Sequence, residues 1–248
     1  MKTFDELCKL SKDLYFEPFV VKEFITPEEH EFCLKTFDES GQFDPATHTK
    51  AIRKDSQMHP DFGPSRFKDI FLPKLDSMFK TKSICVGSNF TQWNSPVPIH
   101  TDGYQLPYVS VGETEQNEEI LGFAVIVPLR TDTGKGNPTT VMFNQTLYGG
   151  GGNFGGPAHP KDSEKITDLG LIEQYTNKPF DKTDSNYHYI DHLPDERLHG
   201  FSIDRIFNWN MCDAIVWHRS QFHCSSKFVG FNNKTHLVFL CNFKIEEI

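Results

Sequence analysis

The chain has 248 residues, enough for one domain of generous size or two small ones, and enough to bury a full core without staples. Phenylalanine is abundant at 23 residues, Pro and Gly are frequent at 15 and 17, and no long helical periodicity dominates, which points to a β-rich globular enzyme or binding domain. A formal net charge of −9 argues against general affinity for nucleic acid or anionic membranes, although it leaves room for a local basic groove.

The N-terminus, Met1 to Glu6, is charged and lacks an apolar h-region, and no run reaches the length of a membrane span. A reducing cytoplasm is the expected location. The six cysteines, at 8, 33, 85, 212, 224 and 241, form no C-x-x-C pair, so neither a zinc knuckle nor a disulfide framework is indicated. Residues 1–13 have Phe4, Leu7 and Leu10 at helical spacing. Tyr15 to Phe24 reads as a strand. Thr26-Pro27-Glu28-Glu29 combines an N-cap, a first-position proline and two acids near the positive end of a helix dipole, and that helix is expected to run to about Phe37. Residues 39–64 are polar and turn-rich. Ser65 then caps a second helix carrying Phe67, Ile70, Phe71, Leu75 and Phe79, which Pro73 kinks or restarts. The aromatic stripes of both helices are expected to be core, buttressing a sheet.

From Ser83 the pattern changes to strands: Ser83–Trp93, then Ile120–Leu129, rich in β-branched residues, then Thr139–Phe143 after the turn at 132–138, as a hairpin with a long loop. Residues 144–204 are the least regular part. Gly149–Gly152 and Gly155-Gly156 lie here, with His159, His188, His192 and His199. This is read as an insertion with a short helix near Ile166–Tyr175, serving either as a lid or as a plain surface excursion. Asp213–Trp217 and Thr235–Phe243 complete the strands. Helices first, then many strands around one excursion, describe a single mainly β domain over 1–248: a jelly roll, with 1–82 as helical support and 83–248 as the core.

Within this frame, Pro98-Ile99-His100-Thr101-Asp102-Gly103 places an imidazole and a carboxylate two positions apart. On extended chain, residues i and i+2 face the same way, so both can reach one metal ion from one direction. A third ligand must come from elsewhere, and His223, in Ser220-Gln221-Phe222-His223-Cys224-Ser225, is the best candidate. Two histidines and one carboxylate on one face of a metal, with the opposite face open, form the facial triad of non-heme Fe(II) oxygenases. H-x-D alone is weak and equally fits a surface turn.

The ordered set His100-Thr101-Asp102, Thr140 to Phe143, Asp213 to Trp217, His223, and Lys234 closing onto a strand resembles the Fe(II)/2-oxoglutarate-dependent oxygenase superfamily over roughly residues 80–244. Phe19 to Phe37 is similar to the strand-then-helix entry of its prolyl-hydroxylase-like members. The shared motif points to a superfamily and not to a substrate. What the resemblance implies is a double-stranded β-helix, itself a jelly roll, with Fe(II), 2-oxoglutarate and dioxygen as cofactors. His100, Asp102 and His223 would hold the metal and form the catalytic centre. Lys234, eleven positions after His223, would bind the far carboxylate of 2-oxoglutarate as a point charge where members more often use Arg. Many members carry a tyrosine on the strand before H-x-D, but here the nearest aromatic is Trp93, a donor only, so Asn89 or Gln92 would supply that contact. His218 competes with His223 as third ligand. His223 is preferred because it leaves a strand before it and the Lys234 spacing after it, while His236 reads as a pocket wall or cosubstrate contact.

The implied reaction is hydroxylation of an unactivated C–H bond, coupled to decarboxylation of 2-oxoglutarate to succinate. A carboxylate at 102 favours it over halogenation, with desaturation or ring closure left open. A free amino acid, a peptide side chain or a small polar metabolite is the expected substrate, and duplex DNA is not. Arg130, Arg205 and Arg219 could each clamp an anionic group or lie on the surface, and Tyr104 would line the pocket. Two alternatives remain: a jelly-roll binding protein with a non-catalytic site, and a cupin-like enzyme that needs metal but ignores 2-oxoglutarate. Lys234 favours the oxygenase, because only the second carboxylate requires it.

Overall fold

The computed structural model describes residues 4–39, 44–45, 51–55, 65–79, 83–102, 119–133, 135–148, 153–154 and 172–244. Among the described residues, three helices lie in the N-terminal third, interleaved with short strands: α1 (Phe4–Asp13), α2 (Pro27–Glu39) and α3 (Ser65–Asp76). Helix α2 starts in a capping box, with Glu29 N donating to Thr26 Oγ1 at 3.2 Å and Thr26 N to Glu29 Oε2 at 2.8 Å, so two orphan donors are satisfied reciprocally. Pro73 lies inside α3, which continues to Asp76.

The strands among the described residues are β1 (Phe19–Val21), β2 (Asp44–Pro45), β3 (Ala51–Asp55), β4 (Ser83–Trp93), β5 (Ile99–His100), β6 (Glu119–Thr131), β7 (Thr139–Thr146), β8 (Asn153–Phe154), β9 (Ile203–Asn208), β10 (Ala214–His218), β11 (Gln221–Ser225) and β12 (Lys234–Lys244). They build a large sheet, ordered β1-β10-β6-β12-β4-β3-β2, and a small sheet, ordered β8-β5-β11-β7-β9, with every pairing antiparallel. Numbered along the chain, the eight central strands β4, β5, β6, β7, β9, β10, β11 and β12 stand in the orders 6-3-8-1 and 2-7-4-5. That interleaving of two four-stranded sheets is a jelly roll, the double-stranded β-helix.

Side-chain alternation explains the layers. On β12, Leu237, Phe239, Cys241 and Phe243 face the helices. They pack with Phe123, Val125, Val127 and Leu129 of β6 against Cys33 and Phe37 of α2 and Phe71 and Leu75 of α3. The opposite face of the large sheet meets the small sheet through Ala124, Ile215 and Trp217, with Met142 of β7 and Trp209 between them. A third core lies outside the small sheet. There Val141, Phe143, Phe222 and Cys224 are covered by Ile172, Phe180, Ile190, Leu193, Leu198 and Phe201. The described part of the 144–204 excursion is therefore a packed cover, containing a 3-10 turn at Tyr187–Tyr189 and a short helix α4 (Asp195–Leu198). Gly200 is required there: at φ +82 it is left-handed, and a Cβ would stand 2.0 Å from the Tyr175 ring.

Several expectations need correction. The strand expected over Tyr15–Phe24 shrinks to Phe19–Val21, since Pro18 has no N–H to pair and Glu23 turns left-handed at φ 52. Residues 39–64 contain β2 and β3, which extend the large sheet, so 1–82 is more than helical support. The β6–β7 connection is not a hairpin, because β6 pairs with β10 and β12 while β7 pairs with β9 and β11 in the other sheet. Of the helix expected near Ile166–Tyr175, residues 166–171 lie outside the described residues, and Glu173 forms a bridge to Thr146 instead. The excursion itself includes β8 and the start of β9. Among the described residues, no helix is long and apolar enough to cross a membrane.

Candidate metal centre

β5 ends on His100, and Asp102 follows two residues later. The main chain anchors that turn: Asp102 N donates to Arg219 O at 3.1 Å. Strand β11 lies beside β5 with His223 directly opposite His100, so the register alone brings the imidazoles to a centroid separation of 4.2 Å. His100 Nε2 stands 3.8 Å from Asp102 Oδ1, and His223 Nε2 3.6 Å from Asp102 Oδ2. One ligand atom from each of the three side chains lies within 4.8 Å of the others.

The hydrogen bonds behind the rings fix their tautomers. His100 Nδ1 is 2.8 Å from Pro98 O, and His223 Nδ1 is 3.1 Å from Gln221 O. A carbonyl only accepts, so each Nδ1 carries the proton and each Nε2 presents a lone pair to the space beside Asp102. Burial, with the neighbouring His100, pushes His223 down to about 4 and keeps it neutral. Two imidazole lone pairs and a carboxylate facing one another, with no cation of the described protein between them, fit a divalent ion of the kind that accepts mixed nitrogen and oxygen donors.

Asp102 is itself held. Trp217 Nε1 donates to Oδ2 at 3.0 Å, and its ring lies 4.7 Å from that of His223. Arg219, fully buried, donates through Nε (3.0 Å) and Nη2 (2.7 Å) to the Asp102 carbonyl and through Nη1 to Asn242 Oδ1.

Lys234 opens β12 on the face turned toward the small sheet. It is 2% exposed, its Nζ donates to Ser225 Oγ at 2.7 Å, and it lies 4.1 Å over the Trp209 ring. No carboxylate among the described residues pairs with it. Burial pushes the ammonium down to about 7. Ser225 is two residues from His223 on β11, hence on the same face and about 7 Å along the strand. Trp209 is oriented by its own hydrogen bond, Nε1 to Thr140 Oγ1 at 2.9 Å.

Asn89 and His236 share this inner face. His236 pairs with Thr91 and packs edge-on against Trp209 at 5.3 Å, and Asn89 Oδ1 accepts from Thr91 Oγ1 at 2.6 Å. Gln92 does not share it: opposite Thr235, it sits on the helix-facing side and donates to Thr235 Oγ1 at 3.2 Å. His218, the rival ligand, pairs with Phe123 on that same outer side, buried among Tyr15, Phe16 and Tyr148. The arginines are also committed elsewhere. Arg130 pairs with Asp38 at 2.6 Å, and Arg205 with Glu17 at 2.5 Å and Asp204 at 2.6 Å, while Arg219 supports Asp102 and cannot clamp a substrate. Tyr104 and His159 lie outside the described residues. His188 and His192 are exposed, and His199 lies 3.4 Å from the Tyr175 hydroxyl.

Sequence reasoning missed Ser225, Thr91, Trp209 and Trp217. Ser225 had a signal, the i+2 spacing from His223, once 221–225 is taken as a strand. Trp209 had none, because it reaches Lys234 only through the fold.

No protein-family model matches the chain, and no curated protein matches it in sequence. Solved structures follow a similar chain path. HygX from Streptomyces hygroscopicus, with nickel and 2-oxoglutarate bound, overlaps at TM-score 0.49 and 10% identity, covering 98% of this chain and 88% of that one. SnoN, the non-heme α-ketoglutarate-dependent epimerase from nogalamycin biosynthesis, overlaps at 0.48 and 11%, covering 97% and 83%. An oxidoreductase of the 2OG-Fe(II) oxygenase family from Burkholderia pseudomallei overlaps at 0.45 and 9%, covering 97% and 90%. Identities this low carry neither a reaction nor a ligand over to this chain.

Proposed function

We propose that this protein is an Fe(II)- and 2-oxoglutarate-dependent dioxygenase that hydroxylates a C–H bond of a small polar metabolite, an amino acid or a peptide side chain. The observation that carries this reading is the pairing of two features on one inner face. A triad suited to a divalent metal lies one strand repeat from Ser225, whose hydroxyl accepts from a buried ammonium with no carboxylate partner among the described residues. A ligand that chelates metal with one end and offers a carboxylate at the other would satisfy both, and 2-oxoglutarate is such a molecule. His100, Asp102 and His223 would hold iron through two nitrogens and one oxygen. Lys234 and Ser225 would hold the far carboxylate by charge-assisted and hydroxyl hydrogen bonds, with Trp209 closing the space above the ammonium. Iron held there with 2-oxoglutarate and dioxygen would supply the oxidising power for hydroxylation, with succinate and carbon dioxide as the products of the oxo acid. The chain's own part is to order the ligands, exclude water and orient the substrate. All six cysteines are free thiols, which suits a reducing compartment such as the cytoplasm.

The test is anaerobic reconstitution with Fe(II) followed by 2-oxoglutarate, with the visible spectrum recorded. A weak metal-to-ligand charge-transfer band, absent in Asp102→Ala, is expected. Bound iron without such a band would remove 2-oxoglutarate from the reading and leave a metal site of another kind.

A further inference from the structure

Two cysteines lie face to face in the large sheet. Cys85 on β4 and Cys241 on β12 are directly opposite in the antiparallel register, beside a register shift between Leu240 and Cys241, and Cys85 Sγ donates to Gly87 O at 3.4 Å. Opposed residues of such a pair have Cα atoms about 4.5–5.5 Å apart. A disulfide accepts roughly 4.4–6.8 Å, so a bond between them demands little movement of the backbone.

The two sulfurs are not equivalent. Cys241 is fully buried in the helix-covered core, while Cys85 is partly exposed. The neighbouring Cys241 thiol, with the buried Arg219 guanidinium nearby, holds the Cys85 thiol below its ordinary value. Burial, with the neighbouring Cys85, pushes Cys241 well above it. A partly exposed cysteine with stabilised thiolate, beside a buried thiol that can displace from it, is the arrangement that reacts with peroxide and then closes to a disulfide. Elsewhere, burial pushes the Cys33 thiol up to about 12 and Cys224 higher still, which leaves both inert.

We propose that Cys85 and Cys241 form a dithiol site for small hydroperoxides, with Cys85 the attacking sulfur and Cys241 the resolving one. The Cys85 thiolate attacks one peroxide oxygen. An S–O bond forms, the O–O bond breaks, and the departing oxygen leaves as water after taking up a proton. Cys241 then loses its proton, and its sulfur attacks Cys85. The S–S bond forms, the S–O bond breaks, and a second water leaves. Two thiols are oxidised by two electrons, and hydrogen peroxide is reduced to two waters. The strap would lie one residue from Asn242, whose side chain accepts from the Arg219 that holds Asp102. The site uses none of the three metal-ligand candidates and none of the groups assigned to 2-oxoglutarate.

The test treats the full chain with a small excess of hydrogen peroxide, with a chelator present so that iron takes no part. Wild type should lose two of its six thiols, recover them with dithiothreitol, and yield a Cys85–Cys241 cross-linked peptide on non-reducing digestion. Cys241→Ser should accumulate a dimedone adduct at Cys85, and Cys85→Ser should lose thiols at least about tenfold more slowly. A digest without the cross-linked peptide, or a folded Cys85→Ser that loses thiols at the wild-type rate, would overturn the site. Should either variant fail to fold, the wild-type peptide map decides alone, because each cysteine lies in a separate stretch of chain.

Discussion

At Lys234, burial and charge pull against each other. An ammonium 2% exposed, with a hydroxyl and an indole face for company, has among the described residues no carboxylate to compensate its burial, and an unpaired buried ion costs several kcal/mol. Lys234→Met should therefore leave stability unchanged or raised while weakening 2-oxoglutarate by about 100-fold, read by titration of the charge-transfer band. The sign of the pH effect follows from the same residue. The uncomplexed ammonium loses its proton through about pH 7, and an anion needs it charged, so affinity should fall above pH 7 by up to about tenfold per unit. Lys234→Arg should flatten that fall, since a guanidinium stays charged. In the proposed metal centre Trp217 would act through Asp102, to which it donates. Trp217→Phe keeps an aromatic in the core but frees Oδ2, and Co(II) affinity should drop by about 10- to 100-fold with an unchanged circular dichroism spectrum. An affinity equal to wild type would mean that the indole only fills space. His100 and Asp102 were legible in the sequence because their relation is local, two positions on extended chain. The direction in which Gln92 points was not, since it depends on which residue of β12 stands opposite.

At the scale of elements, β6 and β12 are held at a separation that admits no side chain at one point. A Cβ on Gly122 would stand 2.8 Å from Cys241 O and 3.0 Å from the Asn242 carbonyl carbon, both main-chain atoms that cannot turn aside. Here the β6–β12 register shifts between Leu240 and Asn242, and Gly122 O accepts from Arg219 N. Gly122→Ala should cost about 1–3 kcal/mol, seen as a lower urea midpoint, and should weaken metal binding because Arg219 hangs from the displaced strand. A midpoint within error of wild type would show that β12 can move. Strands β4, β6 and β12 were legible because they are long and apolar on at least one face. β2 and β3 were not: residues such as Asp44, Pro45, Arg53 and Lys54 show no alternation, and they form strands because the edge of β4 offers unpaired main-chain groups.

For the whole molecule, acid stability follows from histidines buried without charge. Burial drives His218 down to about 3, and burial together with His100 drives His223 down to about 4. Unfolded histidine titrates near 6.5, so below that pH the unfolded chain binds protons that the folded chain refuses. Stability from this source is complete above about pH 6.5 and falls as pH drops toward 3. It should be visible in the metal-free protein as a loss on the order of a few kcal/mol between pH 7 and 4. His218→Phe should show a smaller loss over that range in urea unfolding, and an identical slope would mean that carboxylates alone set the acid limit.

The sequence by itself determined whatever depends on neighbours along the chain. This covers the capping box at Thr26 and Glu29, the aromatic faces of α2 and α3, the buried runs of β6 and β12, the common face of His100 and Asp102, and the number of residues from His223 to Lys234. The tertiary structure alone decided what depends on register between distant strands. It placed His223 beside His100 and Asp102 and His218 on the helix-facing side of the other sheet, and it set Arg219 behind Asp102. It also brought Trp209 over Lys234, and Cys85 against Cys241. A one-residue change of register turns every side chain of a strand to the other face, and that choice is made by the packing of both sheets together.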